Sequence, residues 1–446
     1  SPSIWLPGPL FAGVAVASAP VLLAGVHNGT SESTAWAPAI LAVWACWRAQ
    51  QRPGQRRVWL AGAALFLATV ASAYSAVVAF VLAGMLALDA PSGARWTDRA
   101  RRLAPLSLGL VLSVPVALLQ HGFATRPGNL VGIKSPGELA MVRRSTGAAD
   151  PWTMLVGGDF RSPDFAEISR YGETFIHTAY FGYVVLGVGL FALVRGPRRW
   201  ALWAGALSLG LLALGPVWVQ DGAAVVFADD RALPLPYFLV ERLPGFSSLS
   251  LVWRLAQGPA LVLAVLGGAS LSRRRWLWVL PLLVLVEGRT LSPMRDGLAL
   301  SDGRVHPAIL ALAHEPAGAV VNFPVVGGRA YLHEQTAHHH ALAATLNFPN
   351  NAAGQKFWRK ALAELERASG DLSTSKDQAV FARSLGKTAR ALQVRYVVIH
   401  LDPGARPDMH DAAARAIQRA FPAPASEPTT AVSGPHAREV TVHKLY

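Results

Sequence analysis

Residues 251–275 read LVWRLAQGPALVLAVLGGASLSRRR. The run from 251 to 271 is apolar apart from Arg254, Gln257 and Ser270, and Arg273, Arg274 and Arg275 close it. A bilayer core of about 30 Å takes roughly 20 helical residues. A basic cluster at one end of such a run marks the cytoplasmic side. This stretch sets the expectation of a membrane helix entering from outside at Trp253-Arg254 and leaving into the cytoplasm.

Working outward, apolar runs recur at 10–26, 35–47, 58–73, 75–88, 103–120, 177–194, 200–219 and 276–290. Several are shorter than a bilayer requires, so they must tilt, be extended by Trp and Ser, or not fully span. The stretch 58–88 is too long for one crossing, and Ser72-Ala73-Tyr74-Ser75 is its natural break. The expected fold is an α-helical polytopic membrane domain of about nine spans over 1–290. A small extracytoplasmic α/β domain follows over 291–446.

Composition agrees with this expectation. Of the 446 residues 52% are apolar and 15% charged, against about 25% charged in an average soluble protein. Mean hydropathy is +0.32, which excludes an intrinsically disordered chain. The net charge of +14 is concentrated in alternate short loops. Arg48, Arg52, Arg56 and Arg57 fall in one; Arg95, Arg99, Arg101 and Arg102 in the next; Arg195, Arg198 and Arg199 in a third; Arg273 to Arg275 in a fourth. The positive-inside rule places all four in the cytoplasm. Anionic membrane lipid is then the partner of these loops, and no nucleic acid is needed to explain the charge. Segments 27–34, 121–176, 220–250 and everything after 291 fall on the periplasmic side of a bacterial inner membrane. Arginine far outnumbers lysine, which with many Ala, Gly and Pro fits a GC-rich bacterial coding bias. The single cysteine, Cys46, excludes an intrachain disulfide framework. No signal peptide is expected at the start, and Ser1 in place of Met fits a piece of a longer protein.

After 300 the pattern is that of a mixed α/β sequence. Strands are expected at 319–326, 394–400 and 439–446, from β-branched and aromatic runs bounded by turn signals. Helices with charged faces are expected at 355–368, 376–392 and 409–420. The Pro/Ser/Thr-rich 422–435 reads as a loop. There is no internal repeat.

Polar residues in the outside-facing loops are the candidates for chemistry. His27 and Glu32 flank an Asn-Gly turn; they read as a sugar or cation site, or as a tight turn with a solvated acid. Loop 157–177 carries Asp159, Arg161, Asp164, Glu167, Arg170, Glu173 and His177. It reads as a phosphate site with a carboxylate base, or as an amphipathic surface helix. Stretch 220–254 holds Asp229-Asp230, Glu241, Arg242 and Arg254. Paired acids offer hard oxygen ligands, so a divalent cation is the one cofactor the residues suggest. Arg254 lies three residues inside an apolar run, where a charge is expensive; it reads as a ligand for a lipid-linked phosphate, or as a side chain snorkelling to the interface. The densest histidine cluster, His333-Glu334 with His338-His339-His340, lacks the zinc-protease spacing. No phosphate loop, dinucleotide fingerprint or Gly-x-Ser-x-Gly elbow is present. The candidate substrate-binding residues are Arg254, Arg242, Glu32, His27, Asp159 and Glu173, with no catalytic residue assigned.

Four stretches carry a resemblance. They are His27 to Glu32 before a Trp/Pro-containing span, the break Ala71 to Ser75, the segment from Leu235-Pro236-Tyr237 through Leu243-Pro244-Gly245-Phe246-Ser247-Ser248 to Trp253-Arg254, and Val320 to Val325 followed by Leu392 to His400. In these the chain resembles the C-terminal half of bacterial polytopic membrane proteins of the GT-C glycosyltransferase type with a small extracytoplasmic tail. The resemblance implies transfer of a sugar from a polyprenyl-phosphate carrier at the outer membrane face. It also implies a catalytic carboxylate in a first extracytoplasmic loop, for which this chain offers no counterpart unless Glu32 substitutes. Two other functions compete with it. One is a non-catalytic membrane scaffold whose tail binds envelope glycan or a partner protein. The other is a transporter, disfavoured because no repeat is seen and the span interiors are almost free of charge.

Overall fold

A computed structural model describes residues 7–27, 36–52, 54–89, 95–124, 136–144, 147–156, 178–196, 199–220, 223–227, 232–243, 246–247, 249–271, 278–291, 305–323, 328–343, 353–367, 374–401, 409–421 and 439–446. The chain divides into two compact units. Helical unit 1 comprises 1–123, 134–165 and 175–300. Unit 2 comprises 301–446 with 124–133 and 166–174.

Unit 1 overturns the nine-span expectation. Among the described residues, two helical segments are long and apolar enough to cross a bilayer, Trp96–Leu119 and Val252–Leu271. The shorter apolar helical segments, Pro7–Leu23 with its break after Ala17, Ala73–Leu88, Tyr183–Arg195 and Trp200–Ala213, hold 10–17 residues. At 1.5 Å per residue such helices reach roughly 15–26 Å, short of the hydrocarbon core. The apolar runs were longer than their helices because apolar residues also build turns. Run 177–194 is helical only from Tyr183, after the irregular stretch 178–182. Run 200–219 ends its helix at Ala213, where Gly215 takes a positive φ of 79° and the chain passes into a short β-hairpin. Run 10–26 is broken between Ala17 and Pro20. Of the two long segments, Val252–Leu271 has 89% of its apolar window buried inside the unit, so its side chains are taken up by packing. For Trp96–Leu119 the share is 17%.

The break expected within 58–88 is present. Helix α4 (Gln55–Ala71) ends at extended Ser72, whose Oγ accepts from the Tyr74 N–H at 3.2 Å and caps α5 (Ala73–Leu88). Helix α6 (Trp96–Ala124) approaches α4 closely, since a Cβ on Gly62 would lie 2.6 Å from Leu108 Cγ. The core gathers Leu65, Val78, Leu82, Leu209, Trp253 and Leu255, all essentially unexposed.

Unit 2 is built on a three-stranded sheet in the order β3 (Ala319–Phe323), β4 (Val394–Leu401), β5 (Glu439–Lys444). β3 runs parallel to β4 with Phe323 opposite Ile399; β5 runs antiparallel with Tyr396 opposite Lys444. All three strands lie where the sequence places them, shortened at some ends. Side-chain alternation divides the core. Val321, Phe323, Val397 and Ile399 pack with Phe357, Leu385 and Ile417 of helices Ala353–Arg367, Ser375–Ala391 and Met409–Ala420. Val320, Tyr396, Val398 and Val440 pack with Ile309, Leu312 and Leu342 on the other face.

Candidate functional site

The stretch 237–257 forms the polar heart of unit 1. Tyr74 of α5 reaches it from below, its hydroxyl accepting from the N–H of Leu251 at 2.8 Å and of Ser250 at 3.2 Å. The Tyr237 hydroxyl donates to the Phe246 carbonyl at 2.7 Å. Helix Pro136–Arg143 supplies Arg143, whose guanidinium donates to the carbonyls of Ser247 at 2.9 Å and Leu249 at 3.1 Å. Buried Glu241 receives Arg144 at 2.9 Å and stands 3.8 Å from Arg143. Gly147 lets the next turn close against this strap: its carbonyl accepts from the Trp253 N–H, and a Cβ there would lie 2.0 Å from the Ser250 oxygen.

This frame fixes Arg254 in the 3-10 turn Val252–Ala256. The side chain is 5% exposed. Its guanidinium carbon stands 5.1 Å from the Tyr74 ring centre and 5.7 Å from that of Trp253, within cation–π range. The arginine is therefore turned inward, away from an interfacial snorkelling position. Arg242 is exposed just beyond helix Tyr237–Val240, so the two arginines occupy different environments. His27 is the last residue of helix Pro20–His27. Its side chain, Glu32, the whole loop 157–177 with Asp159 and Glu173, and Asp229-Asp230 lie outside the described residues.

Two features of unit 1 are absent from the sequence reading. One is the Arg143–Glu241 strap. The other is Glu287 in helix Val279–Thr290, 7% exposed. The Tyr180 hydroxyl donates to its Oε1 at 2.5 Å; the Tyr183 N–H also donates to Oε1, and the Val184 N–H donates to Oε2 at 2.9 Å. Its signal was legible: an acid inside the apolar run 276–290, where burial of a charge demands donors.

In unit 2 the histidine cluster falls on and after helix Gly328–His338. The His338 Nδ1 accepts from the His340 N–H at 3.0 Å, and the His340 ring lies between the carbonyls of Gly318 and Leu312. His400 at the end of β4 stands 3.4 Å from Glu334. No group of three or more His, Cys, Asp or Glu forms a metal-binding arrangement among the described residues.

Titration in unit 2 has a definite sign. Burial, with His340 adding to it, holds the His338 imidazole below its ordinary 6.5, and burial does the same to His443. The fold thus prefers both rings neutral. Their stabilisation is whole above pH 6.5 and is lost as pH falls below it, because the unfolded chain takes up protons the fold refuses. Glu364, hydrogen-bonded first to Lys360 and also to Ser384 and Arg367, is held below its ordinary 4.5. Its contribution is lost as pH falls from 4.5 through its folded value. Unit 2 is expected to weaken in two stages on acidification, below about pH 6.5 and again below about 4.5. The 19F resonance of fluorotryptophan at Trp358, followed against urea at each pH in the full chain, measures it. A midpoint that rises on going from pH 7 to 5.5 would contradict the assignment.

No protein-family model and no curated protein sequence matches the chain.

Proposed function

We propose that the chain is an integral membrane, glycosyltransferase-like protein that acts on a polyprenyl-phosphate-linked sugar at the outer face of a bacterial cytoplasmic membrane, with its C-terminal unit periplasmic. The observation that carries the reading is Arg254, a permanent cation held deep in an apolar helical unit by Tyr74 and Trp253. A guanidinium so placed suits the phosphate of a lipid carrier, which it binds through two parallel N–H donors. Exposed Arg242 is the companion that meets the donor at the rim. Lipid contact is supported by apolar side chains turned outward on short helices, among them Leu190, Val194, Leu207, Leu282 and Leu285. This reading needs no fixed number of crossings.

The test is transfer of a labelled sugar from a polyprenyl-phosphate donor by the full chain in vesicles. Arg254→Lys is expected to raise the apparent KM for donor about tenfold, and Arg254→Ala more, since a lysine cannot reproduce the bidentate pair. Arg242→Ala should act more weakly. Unchanged transfer in Arg254→Ala at wild-type levels sinks the assignment.

A second reading, a non-catalytic scaffold whose tail binds envelope glycan or a partner protein, has its own observation. The buried acids among the described residues of unit 1, Asp150, Glu241 and Glu287, are all held by donors. Absence of any transfer by the wild-type chain, with its tail retained on envelope glycan, would favour it.

A further inference from the structure

Helix α6 differs from its neighbours in how little of it is covered. Its apolar window, Trp96–Leu119, holds 24 residues, about 36 Å at 1.5 Å per residue, and 103–119 carries no charged side chain. Of that window 17% is buried, against 89% for Val252–Leu271. The buried positions fall four apart, at Pro105, Gly109 and Ser113, which is one stripe of a helix. A Cβ on Gly109 would lie 2.7 Å from Leu65 Cβ, and Ser113 Oγ lies 3.0 Å from Thr69 Oγ1. Close approach through small residues, with a hydroxyl contact across the pair, is how helices associate in lipid. Away from this stripe Leu110, Val111, Val114 and Leu118 are exposed. Pro105 and Pro115 lie inside the helix, and proline is more frequent in membrane helices than in soluble ones.

Contacts of 62 with 108, 65 with 109 and 69 with 113 rise together, so α4 and α6 run parallel. Their first turns therefore fall at the same end. There α4 brings Arg56 and Arg57, and α6 brings Arg99, Arg101 and Arg102. Asp89, just after α5, ties in a third group: Arg102 donates to its carbonyl at 3.1 Å, and Arg199 to its carboxylate at 3.1 Å. Exposed Trp59 and Trp96 stand in the same turns as these arginines, as interfacial anchors do. An apolar partner protein would cover the middle of α6 and leave the exposed arginines without counter-charge. A bilayer with anionic phospholipid supplies both.

We infer that α6 is a lipid-contacting span: its bare faces lie against acyl chains, and the arginines gathered at its first turns hold anionic phospholipid headgroups. The inference rests on the membrane part of the reading above and not on sugar transfer.

The full chain is reconstituted in vesicles of phosphatidylcholine and phosphatidylglycerol, with a nitroxide on Leu110→Cys or on Arg99→Cys. Both positions are exposed, and buried Cys46 stays unlabelled in the folded chain. At position 110, relaxation by oxygen is expected to exceed that by a water-soluble nickel chelate at least about tenfold, because a polar solute is excluded from hydrocarbon. At position 99 the order reverses. A label at 110 reached by the chelate lies in water, and one reached by neither lies against a second copy or a partner protein; either result overturns the span. Nitroxide-labelled phosphatidylglycerol is expected to be held at the protein surface in preference to phosphatidylcholine. That preference should fall about fivefold in Arg99→Gln/Arg101→Gln, and an unchanged preference overturns the headgroup assignment. Neither measurement uses a sugar donor, so failure of the transfer assay leaves both outcomes unmoved, and their failure leaves Arg254 to its own assay.

Discussion

Arg143→Met is expected to destabilise the helical unit by about 3–5 kcal/mol, the usual loss when one member of a buried charged pair is removed. Its side chain is 5% exposed, and it ties together segments more than a hundred residues apart. The substitution strips hydrogen bonds from the Ser247 and Leu249 carbonyls and leaves Glu241, itself buried, with Arg144 alone. Methionine keeps most of the volume, so the loss reads the polar contacts and not a cavity. Arg144→Met is the comparison: that side chain is 33% exposed and holds the 237–257 segment through Glu241 alone, so its loss is expected to cost less, about 1–3 kcal/mol for a hydrogen bond to a charged group. The measurement is the midpoint of denaturant unfolding of the full chain in detergent micelles. Equal shifts for the two variants would show that the strap does not hold the 237–257 segment.

Phe357→Ala is expected to destabilise unit 2 by a similar amount, about 3–5 kcal/mol. Phe357 is fully buried in the cluster formed by Val397, Ile399, Leu385 and Ile417. Its neighbour Trp358 packs on Phe323 of β3, the ring centres 4.7 Å apart and the planes tilted by 40°. Truncation leaves a ring-sized void where three helices meet one sheet face, and surrounding side chains collapse into such voids only in part. The 19F resonance of Trp358 reports the change directly, through its urea midpoint. A shift smaller than that produced by truncating an exposed residue of the same helix, such as Arg359→Ala, would refute the placement of this core.

The legible features were those with a local signature. A break at Ser72-Ala73-Tyr74-Ser75 was readable because 58–88 is too long for one helix to cross a bilayer; the structure adds that the Ser72 Oγ caps the second helix at Tyr74. The strand at 394–401 was readable from Val-Arg-Tyr-Val-Val-Ile-His, whose β-branched and aromatic residues suit a sheet packed on both faces. The nine membrane spans failed for a matching reason. Hydropathy measures only how apolar a run is; it does not separate a helix from the turn beside it. Gly215 and stretch 178–182 look as apolar as the helices they adjoin. Nor does hydropathy distinguish a chain turned to lipid from one turned to its own core, as the 89% buried segment Val252–Leu271 shows.

Arg254 could be singled out in one dimension, because a charge in an apolar run is conspicuous. Its surroundings could not, since Tyr74 lies 180 positions away and only packing of α5 against the 3-10 turn brings the ring over the guanidinium. The same holds for Glu287 and Tyr180, 107 positions apart. Composition and periodicity by themselves placed three strands and three helices of the tail and the charges that stand out; they missed helices Pro136–Arg143, Pro307–Leu312 and Gly328–His338 and the hairpin of Val219–Gln220 with Ala223–Ala224. Tertiary structure alone decided which apolar faces pack inward, how long the helices are, and which donors meet which buried acids. Helix and strand propensities act within a few residues, whereas burial and ion pairing depend on neighbours that only the folded chain supplies.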